Sequence, residues 1–470
     1  MISVLHITPH LGGGVGRVLL NHMAYVKPQG AEHHTIACLE HADSLSVSKT
    51  ADIGIRLIDR MADHIPELLQ LVEQNDVVVI HWWNHPLLYS LLVNETLPLV
   101  RLLIWSHVAG IFPTQNFTDA LIAFPDLFVI ATPHSLEAPA IMRLTQEERD
   151  ARIRLVFTCA GIEHVVGAIK QHHDGFRVGY VGTVDYCKMH PNFVEMSAKV
   201  KIPEARFIVC GGPNEMAICA DAVRAGVGDR FEFLGHVDDV ARILATFDVF
   251  GYPLAPDHYG TGEQALIEAL AVGIPPVVLA NGAEQHIVED GVTGIIASDV
   301  EGYVNALERL HRDPKLRMKL GENARSTARE RFTIKRLAED WSKLYVEMTQ
   351  LPKRHRKWKV DPDISSHVIS GADLYITSLG EHCTDYRESR DAIQNDIRNF
   401  ADMRIANKEG LFRARTRGTV FHYLTFFPDD PYLNLWCGLM CAVDGGHDEA
   451  QRYFTEAKRK LGVERVKRKV

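Results

Sequence analysis

Motifs for several common kinds of site are missing from this 470-residue sequence. Its eight cysteines include no Cys-x-x-Cys pair and mostly stand inside apolar runs, so we expect reduced, buried thiols and no disulfide framework. The 24 histidines show no His-Glu-x-x-His or similar spacing. The adjacent acidic pairs at 238–239 and 429–430 are typical of turns and helix caps. The sequence therefore predicts no metal site.

Membrane-spanning and nucleic-acid-binding classes are also disfavoured. No run reaches about 18 apolar residues, and a strand pattern begins at Ile2 without a basic region before it. We therefore expect a cytoplasmic protein with neither a spanning helix nor a signal peptide. The net charge of −9 argues against nucleic-acid binding. The basic stretch from Lys458 to Lys469 is either a solvated helix end, which we favour, or a contact for an acidic glycan or the membrane surface.

Two successive series of short apolar runs, separated by helical patterns, fill the first 350 residues. The runs of the first series are 2–7, 35–39, 76–81, 102–106, 127–131 and 153–157, and a helix is predicted at 15–25. Those of the second series are 177–182, 206–210, 230–234, 249–252, 276–279 and 294–297. Because strands that alternate with helices form parallel sheets covered on both faces, we expect two α/β sheets. Their ligands bind beyond the carboxyl ends of the strands, so one ligand would lie between them.

The chain is too long for one core, and the pattern predicts four parts. These are a Rossmann-like domain over 1–172, a second over 173–350, a basic linker over 351–365 and a helical extension over 366–470. Residues 432–461 fit one tetratricopeptide-like helix pair, with no second copy before it. A lone repeat cannot bury its own face, so we expect a helical cap packed on the rest of the chain.

A glycine-rich loop at residues 11–17 follows the first strand and opens a helix. Glycine lets a backbone approach a phosphate or sugar, and a helix N-terminus supplies N–H groups. Position 17 is Arg, so the loop does not fit Gly-x-Gly-x-x-Gly, and it lacks the Gly-Lys-Ser/Thr of a P-loop. The sequence supports two interpretations equally, a ligand-binding loop and a tight turn without a ligand.

Polar side chains follow other strands. His107 comes directly after the run 102–106, at the carboxyl edge of the sheet, where ligand sites form. A histidine whose hydrogen bonds are satisfied within the protein is the commoner case at such a position. His81 and Asn84 end the preceding strand, and they either line the same cleft or pack under the tryptophans. Lys188 ends a loop after the run 177–182. There it would reach a diphosphate as a point charge, unless it is an ordinary solvated lysine.

The segment 257–278 is the most specific one. Thr261 and Gln264 have the spacing of a capping box, which predicts a helix from about Gly262 with its N-terminus towards the cleft. Glu268 stands in an apolar run and needs a partner, for which a ribose diol is suited. The alternative places Gln264 and Glu268 on a solvated face. We favour the functional interpretation.

In the order and spacing of these pieces, residues 1–348 resemble the retaining glycosyltransferases of family 4, which have the GT-B fold. The resemblance rests on the glycine-rich loop, His107, Lys188 and the segments 209–213, 233–237 and 268–275. It implies two facing Rossmann-like domains and transfer of a sugar from a UDP- or GDP-type donor. The acceptor would be a hydroxyl of a glycan or glycolipid, and the reaction would need no cofactor and no metal.

The resemblance also implies roles for matching positions. Gly14 and Gly16 would border the diphosphate and sugar, His107 would touch the sugar, Lys188 would neutralise the departing diphosphate, and Glu268 would hold the ribose. Backbone groups of Leu234–Val237 would lie near the base. The complete prediction names His107, Lys188, Glu263 and Glu268 as catalytic, and Gly13, Gly14, Gly16, Arg17, Gly182, Thr183, Gly235, His236, Val237, Gly260, Thr261 and Gly262 as substrate-binding.

Two positions depart from the family pattern. Thr183 stands where the family has Arg, which removes one cation, and Arg17 is the candidate to replace it. Gly260 stands where the family has the first of two glutamates, and Glu263 is expected to do its work. Two other classes remain open: a GT-B epimerase or phosphorylase, and a degenerate GT-B module whose helical part recruits a partner.

Overall fold

The computed structural model describes residues 1–359, 369–415 and 417–461. The first sheet has seven strands in the order β3-β2-β1-β4-β6-β7-β8, all parallel. Its strands are β1 (Ile2–Thr8), β2 (Glu32–Cys38), β3 (Arg56–Ile58), β4 (Val77–Trp82), β6 (Leu102–Ser106), β7 (Leu127–Ile130) and β8 (Ile153–Leu155). Every residue of β4 and β6 is buried, as expected of strands covered on both faces.

Helices cover both faces of this first sheet. They are α1 (Gly13–Val26), α2 (Ser44–Ile53), α3 (Ile65–Gln74), α4 (Pro86–Asn94), α5 (Asp119–Ala123), α6 (Pro139–Met142) and α7 (Gln146–Arg152). The 15–25 helix prediction falls inside α1. Strand β3, only three residues long, was not predicted.

The second sheet has six parallel strands in the order β11-β10-β9-β12-β13-β14. Its strands are β9 (Phe176–Val181), β10 (Ala205–Cys210), β11 (Phe231–Gly235), β12 (Val249–Tyr252), β13 (Pro276–Leu279) and β14 (Ile295–Ala297). The helices that follow them are α8 (Phe193–Lys199), α9 (Glu215–Arg224), α10 (Val240–Leu244), α11 (Gln264–Val272), α12 (Gly282–Gln285), α13 (Val300–Arg312), α14 (Pro314–Arg331) and α15 (Ile334–Thr349). The prediction of two separate parallel-sheet α/β domains is confirmed.

Helix α15 belongs to the predicted second domain by position but packs on the first sheet. Trp341 lies against Trp105, with ring centroids 4.4 Å apart, and Tyr345 approaches His34. Both aromatic residues of α15 are buried in one core with residues of β1, β4 and β6. The helix therefore ties the second domain back to the first.

The linker prediction for 351–365 is wrong in its first part. Arg354–Lys357 forms a strand, β15, that pairs antiparallel with β5 (Thr96–Val100), a strand the sequence also did not reveal. Arg356 forms an ion pair with Asp126, and the ring of Trp358 packs 5.3 Å from that of Phe124. Carboxylates and aromatic rings of the first domain thus hold this basic segment. Residues 360–365 lie outside the described residues.

The extension is helical, as predicted, with α16 (Gly371–Leu379), α17 (Thr384–Asp391), α18 (Asn395–Ala406), α19 (Val420–Phe426), α20 (Pro431–Val443) and α21 (His447–Leu461). Its buried side chains share one continuous core with the first domain. Asn84 links the two parts, because its amide donates to Ser378 and accepts from the Tyr423 hydroxyl. Helices α20 and α21 form the expected pair, with Phe454 packed directly over Gly438.

The structure describes only the first part of the basic stretch at residues 458–469. Arg459 pairs with Asp429 at 3.1 Å, while residues 462–470, with Arg465, Lys467, Arg468 and Lys469, lie outside the described residues. In the part of the chain that the structure describes, no helix has both the length and the apolarity to cross a bilayer.

Candidate functional site between the two domains

Loops at the carboxyl ends of the two sheets touch each other. The N–H of Ala109 donates to the carbonyl of Tyr259 at 3.0 Å, and the Thr261 hydroxyl approaches the His107 carbonyl at 3.4 Å. The loop after β6 thus meets the loop after β12. The structure brings His107 and Thr261, two predicted site residues from different domains, into contact.

The glycine-rich loop is open on its outer side. Gly13, at φ +57°, and Gly14 are exposed, and a Cβ on either would meet no atom within 4 Å. Gly16, which was predicted to border the ligand, does not face the open side of the loop. It is buried, and its Cβ would lie 3.5 Å from Leu11 and from Ser46. Gly13 and Gly14 can border a ligand, whereas Gly16 permits close packing of α1.

Arg17 pairs with Glu268 across the cleft, with Nη1 2.7 Å from Oε1. The same oxygen accepts from Gln264 and contacts His164 Nε2 at 2.9 Å. The Glu268 side chain is only 2% exposed, so these partners satisfy a carboxylate inside an apolar helix. Arg17 is therefore not a free cation that can replace the arginine missing at Thr183.

Lys188 forms a buried pair with Glu263, whose Oε2 lies 2.9 Å from Nζ. The Tyr252 hydroxyl donates to that oxygen at 2.7 Å. Burial opposes the charge on Lys188, but the Glu263 carboxylate outweighs it and raises the pKa of the lysine. Burial likewise opposes the charge on Glu263, and Lys188 and His258 together lower its pKa. Both groups are therefore charged at neutral pH.

The predicted capping box is wrong. Helix α11 begins at Gln264, its N-cap is Glu263 at φ +30°, and no side chain caps it. The Gln264 side chain instead bonds Gly161 and Ala160 of the segment between the domains. Glu263 points its carboxylate at Lys188, which makes it the residue that holds this lysine in place.

Close packing leaves no room for a side chain at two positions of the same loop, Gly260 and Gly262. A Cβ on Gly260 would lie 1.8 Å from Glu263 Oε1, and one on Gly262 would lie 2.2 Å from the Thr158 carbonyl. Gly260 therefore gives room to the carboxylate that pairs with Lys188. Gly262 lets the loop rest on the crossover between the domains.

The remaining predicted residues lie at the carboxyl edge of the second sheet. Gly182 follows β9 and Gly235 ends β11, with Gly211 between them donating its N–H to the Gly235 carbonyl at 2.6 Å. Thr183 accepts from the Tyr180 hydroxyl through its carbonyl, while His236 is exposed and Val237 half-buried. This edge is where a base was predicted to lie, and it carries no cation at position 183.

A chain of buried histidines runs from His107 into the first domain, and sequence reasoning missed it. His107 Nε2 lies 2.9 Å from His81 Nδ1, His81 Nε2 lies 3.0 Å from His6 Nδ1, and His6 Nε2 lies 2.9 Å from His34 Nδ1. His34 Nε2 ends the chain on Glu32 Oε2 at 3.0 Å. The available signal was a histidine in, or directly after, each of four adjacent strands.

Glu32 sets the direction of this chain. Burial opposes its charge, but hydrogen bonds from His34 and Ser342 lower its pKa, so it is an acceptor only. His34 then donates through Nε2, and a chain that runs towards Glu32 has each histidine donating through Nε2 to the next. Burial lowers the pKa of His107 to about 3, which keeps the ring neutral. His107, half-buried at the cleft, therefore offers Nδ1 as a hydrogen-bond acceptor.

One group of potential metal ligands lies near the glycine-rich loop: His10, Glu40 and His85. The His85 Nδ1 accepts the Leu87 N–H at 3.2 Å, so Nε2 carries the proton and donates to Glu40 at 2.7 Å. Both ring nitrogens of His85 therefore have partners within the protein, one in the cap of α4 and one in a hydrogen bond to Glu40. Metal independence stays a prediction.

Sequence comparison shows that the second domain is similar to a family of glycosyltransferases. Residues 167–327 match the family model described as glycosyl transferases group 1. Over 148 residues the chain is 26% identical to N-acetyl-alpha-D-glucosaminyl L-malate synthase of Bacillus anthracis, which covers 31% of this chain and 38% of that protein. Over 195 residues it is 28% identical to D-inositol 3-phosphate glycosyltransferase of Stackebrandtia nassauensis, covering 38% and 43%. The chain thus matches less than half the length of these relatives.

Solved structures share the whole two-domain arrangement. Anabaena Alr3699/HepE in complex with UDP and glucose superposes with a TM-score of 0.59 at 16% identity, over 74% of this chain and 100% of that one. A glycosyltransferase from Rickettsia africae ESF-5 gives 0.60 at 13% identity, over 74% and 98%. At such identity the likeness shows the fold alone, and the predicted GT-B fold is confirmed.

Proposed function

We propose that this chain is a glycosyltransferase that moves a sugar from a nucleoside diphosphate donor to a hydroxyl of a glycan or glycolipid. The observation that carries the proposal is the Lys188–Glu263 pair, which fixes a buried cation at the carboxyl edge of the second sheet. Lys188, Glu263 and Glu268 all lie within the segment that matches the group 1 family model.

The departing diphosphate is the main electrostatic demand of such a transfer. A cation that is already oriented stabilises the developing charge without reorganisation, and Lys188 is held in this way by Glu263 and Tyr252. The N-terminus of α11 adds a positive dipole at the same loop. These groups let the leaving group depart without a metal ion.

The sugar would lie between the domains, between His107 and the exposed Gly13–Gly14 turn. His107 Nδ1, as an acceptor, suits a sugar hydroxyl that donates to it. Glu268 would hold the ribose, for which Arg17 must share or release the carboxylate. Retention of the anomeric configuration, a UDP- or GDP-type donor and a cytoplasmic location complete the proposal.

Calorimetric titration with UDP and GDP, followed by a screen of nucleotide sugars for slow donor hydrolysis, tests the proposal. We expect one nucleotide to bind and its sugar conjugates to be hydrolysed. Lys188→Ala should lower turnover by about a hundred- to a thousand-fold. Lys199→Ala is the control, because Lys199 is an exposed lysine paired with Glu195 on α8.

Three results would contradict the proposal. Failure to bind either nucleotide would favour a degenerate interaction module. Interconversion of a free nucleotide sugar without an acceptor would favour an epimerase. Equal turnover in Lys188→Ala and the wild-type chain would remove the site. NMR of the product's anomeric proton decides retention separately.

A further inference from the structure

The helical extension sends one side chain, Arg417, into the second domain. Its guanidinium carbon lies 4.9 Å from the centroid of the Tyr259 ring, and Nη1 contacts the Cys187 sulfur. Lys188 Nζ lies 5.8 Å from the centroid of the same ring. Most of the extension packs on the first domain, and Arg417 is the side chain that it brings to the loop carrying Lys188.

The backbone beside Arg417 is held by the first domain. Its carbonyl accepts hydrogen bonds from the Thr114 hydroxyl, at 3.2 Å, and from the Gln115 side chain. Arg417 itself has φ +67°, a conformation that non-glycine residues rarely adopt outside over-determined sites. A Cβ on the following Gly418 would lie 2.6 Å from Asn84, so the chain fits tightly here. The side chain is thus aimed at Tyr259 by contacts to its own backbone.

Arg417 forms no ion pair among the described residues. Burial opposes its charge, but the Asp185 carboxylate lies close enough to help raise the pKa of its guanidinium. Other arginines of the extension, such as Arg404 and Arg415, pair with carboxylates. Within the described ranges, no carboxylate oxygen lies at ion-pair distance from Arg417. Its hydrogen-bond partner, Cys187, is a neutral thiol, because burial raises the pKa of that thiol to about 12. A largely buried cation of this kind calls for an anion from outside the protein.

The neighbouring lysine cannot supply the same charge alone. Lys188 shares its charge with Glu263, so the oriented lysine alone does not balance a diphosphate that carries at least two negative charges. Thr183 contributes no charge. Arg417 adds a full positive charge, and its planar fork can bind two phosphate oxygens at once. A pocket of about 500 Å³ adjoins Arg417, and its lining holds two further arginines, Arg413 and Arg415, and two carboxylates, Asp185 and Asp257.

We propose that Arg417 of the helical extension binds the diphosphate of the nucleotide donor beside Lys188, as the cation that the loop after β9 lacks. This inference rests on the proposed function. The extension would then take a direct part in the site, because Arg417 supplies a cation that the two α/β domains do not.

The test compares Arg417→Gln, Arg417→Lys and Arg404→Gln in the full chain. Arg404 is a matched control, since it is an extension arginine whose partners, Asp385 and Glu388, also belong to the extension. Calorimetry measures affinity for UDP, GDP and the free nucleosides. For the nucleotide that the wild-type chain binds, we expect Arg417→Gln to weaken affinity about 10- to 100-fold and leave nucleoside affinity unchanged. Arg417→Lys should recover part of the loss, and Arg404→Gln should lose nothing.

The outcomes separate cleanly. Unchanged nucleotide affinity in Arg417→Gln, with the wild-type chain binding normally, overturns this inference and leaves the proposed function standing. An equal loss for nucleotide and nucleoside overturns it as well, because it would show a structural role. A wild-type chain that binds neither nucleotide overturns the proposed function and this inference with it. Thermal unfolding of each variant checks that the fold is retained.

Discussion

Arg17 and Glu268 meet across the cleft with Nη1 and Oε1 2.7 Å apart, so one ion pair ties the helix of the glycine-rich loop to α11. The two ends differ in environment. The Glu268 side chain is 2% exposed and that of Arg17 is 38% exposed. Removing Arg17 and removing Glu268 should therefore lower the free energy of unfolding by different amounts, because only Glu268 is buried.

We expect Arg17→Gln to be the more destabilising change. It leaves a buried carboxylate with only His164 and Gln264, which should lower the free energy of unfolding by about 1–3 kcal/mol. Glu268→Gln leaves Arg17 near water and should cost less than about 1 kcal/mol. Urea unfolding followed by tryptophan fluorescence measures both. Equal costs, or the reverse order, would contradict the asymmetry.

The histidine chain makes a prediction about tautomers. With Glu32 as an acceptor, His107, His81, His6 and His34 each carry their proton on Nε2. In Glu32→Gln the amide can donate as well as accept, so the direction of the chain is no longer fixed. Nitrogen-15 NMR of histidine-labelled protein should show Nε2–H forms in the wild-type chain and mixed forms in Glu32→Gln. A mixture of histidine tautomers already present in the wild-type chain would contradict this prediction.

Local pattern was enough for the central strands of both sheets, but not for the edge strand β3 and not for the site. Each central strand is a run of apolar residues between helices, and this information lies within a few neighbouring positions. The capping-box prediction failed because Gln264 bonds Gly161, 103 residues earlier in the chain. A short spacing rule cannot encode a contact between segments so far apart.

The same limit explains the two features that sequence reasoning missed. The histidine chain depends on the order of strands β2, β1, β4 and β6, which the sequence does not state. Arg417 contacts Cys187 from 230 residues away and follows no recognised motif. By contrast, Lys188 and Glu263 were both predicted, because each lies in a family-like segment, although their pairing was not.

The two loops of the cleft should respond differently to an added methyl group. Gly262→Ala places a Cβ 2.2 Å from the Thr158 carbonyl, so the loop that carries Glu263 must move, and we expect lost stability and lost turnover. Gly14→Ala meets nothing within 4 Å. It should keep the wild-type melting temperature and still reduce turnover, because the methyl enters the space assigned to the donor. A Gly14→Ala variant with wild-type turnover would remove that loop from the site.

Buried neutral histidines should make the fold sensitive to acid, and His22 isolates the effect. It is fully buried in α1, and neither ring nitrogen has a hydrogen-bond partner among the described residues. Burial lowers its pKa from 6.5 to about 3. Below pH 6.5 the unfolded chain takes up a proton that the folded chain refuses, so stability falls as the pH decreases from 6.5 towards 3.

His22→Leu should remove this part of the acid sensitivity. Leucine keeps a similar volume and sacrifices no hydrogen bond, so stability near pH 7.5 should change little. Between pH 7.5 and 5, the variant should lose about 2 kcal/mol less unfolding free energy than the wild-type chain. Urea titrations at both pH values measure the difference, with His33→Gln, at an exposed position in β2, as the control. If the His22→Leu loss equals that of the wild-type chain, His22 takes up its proton in the folded state, and the burial argument for the neighbouring histidines falls with it.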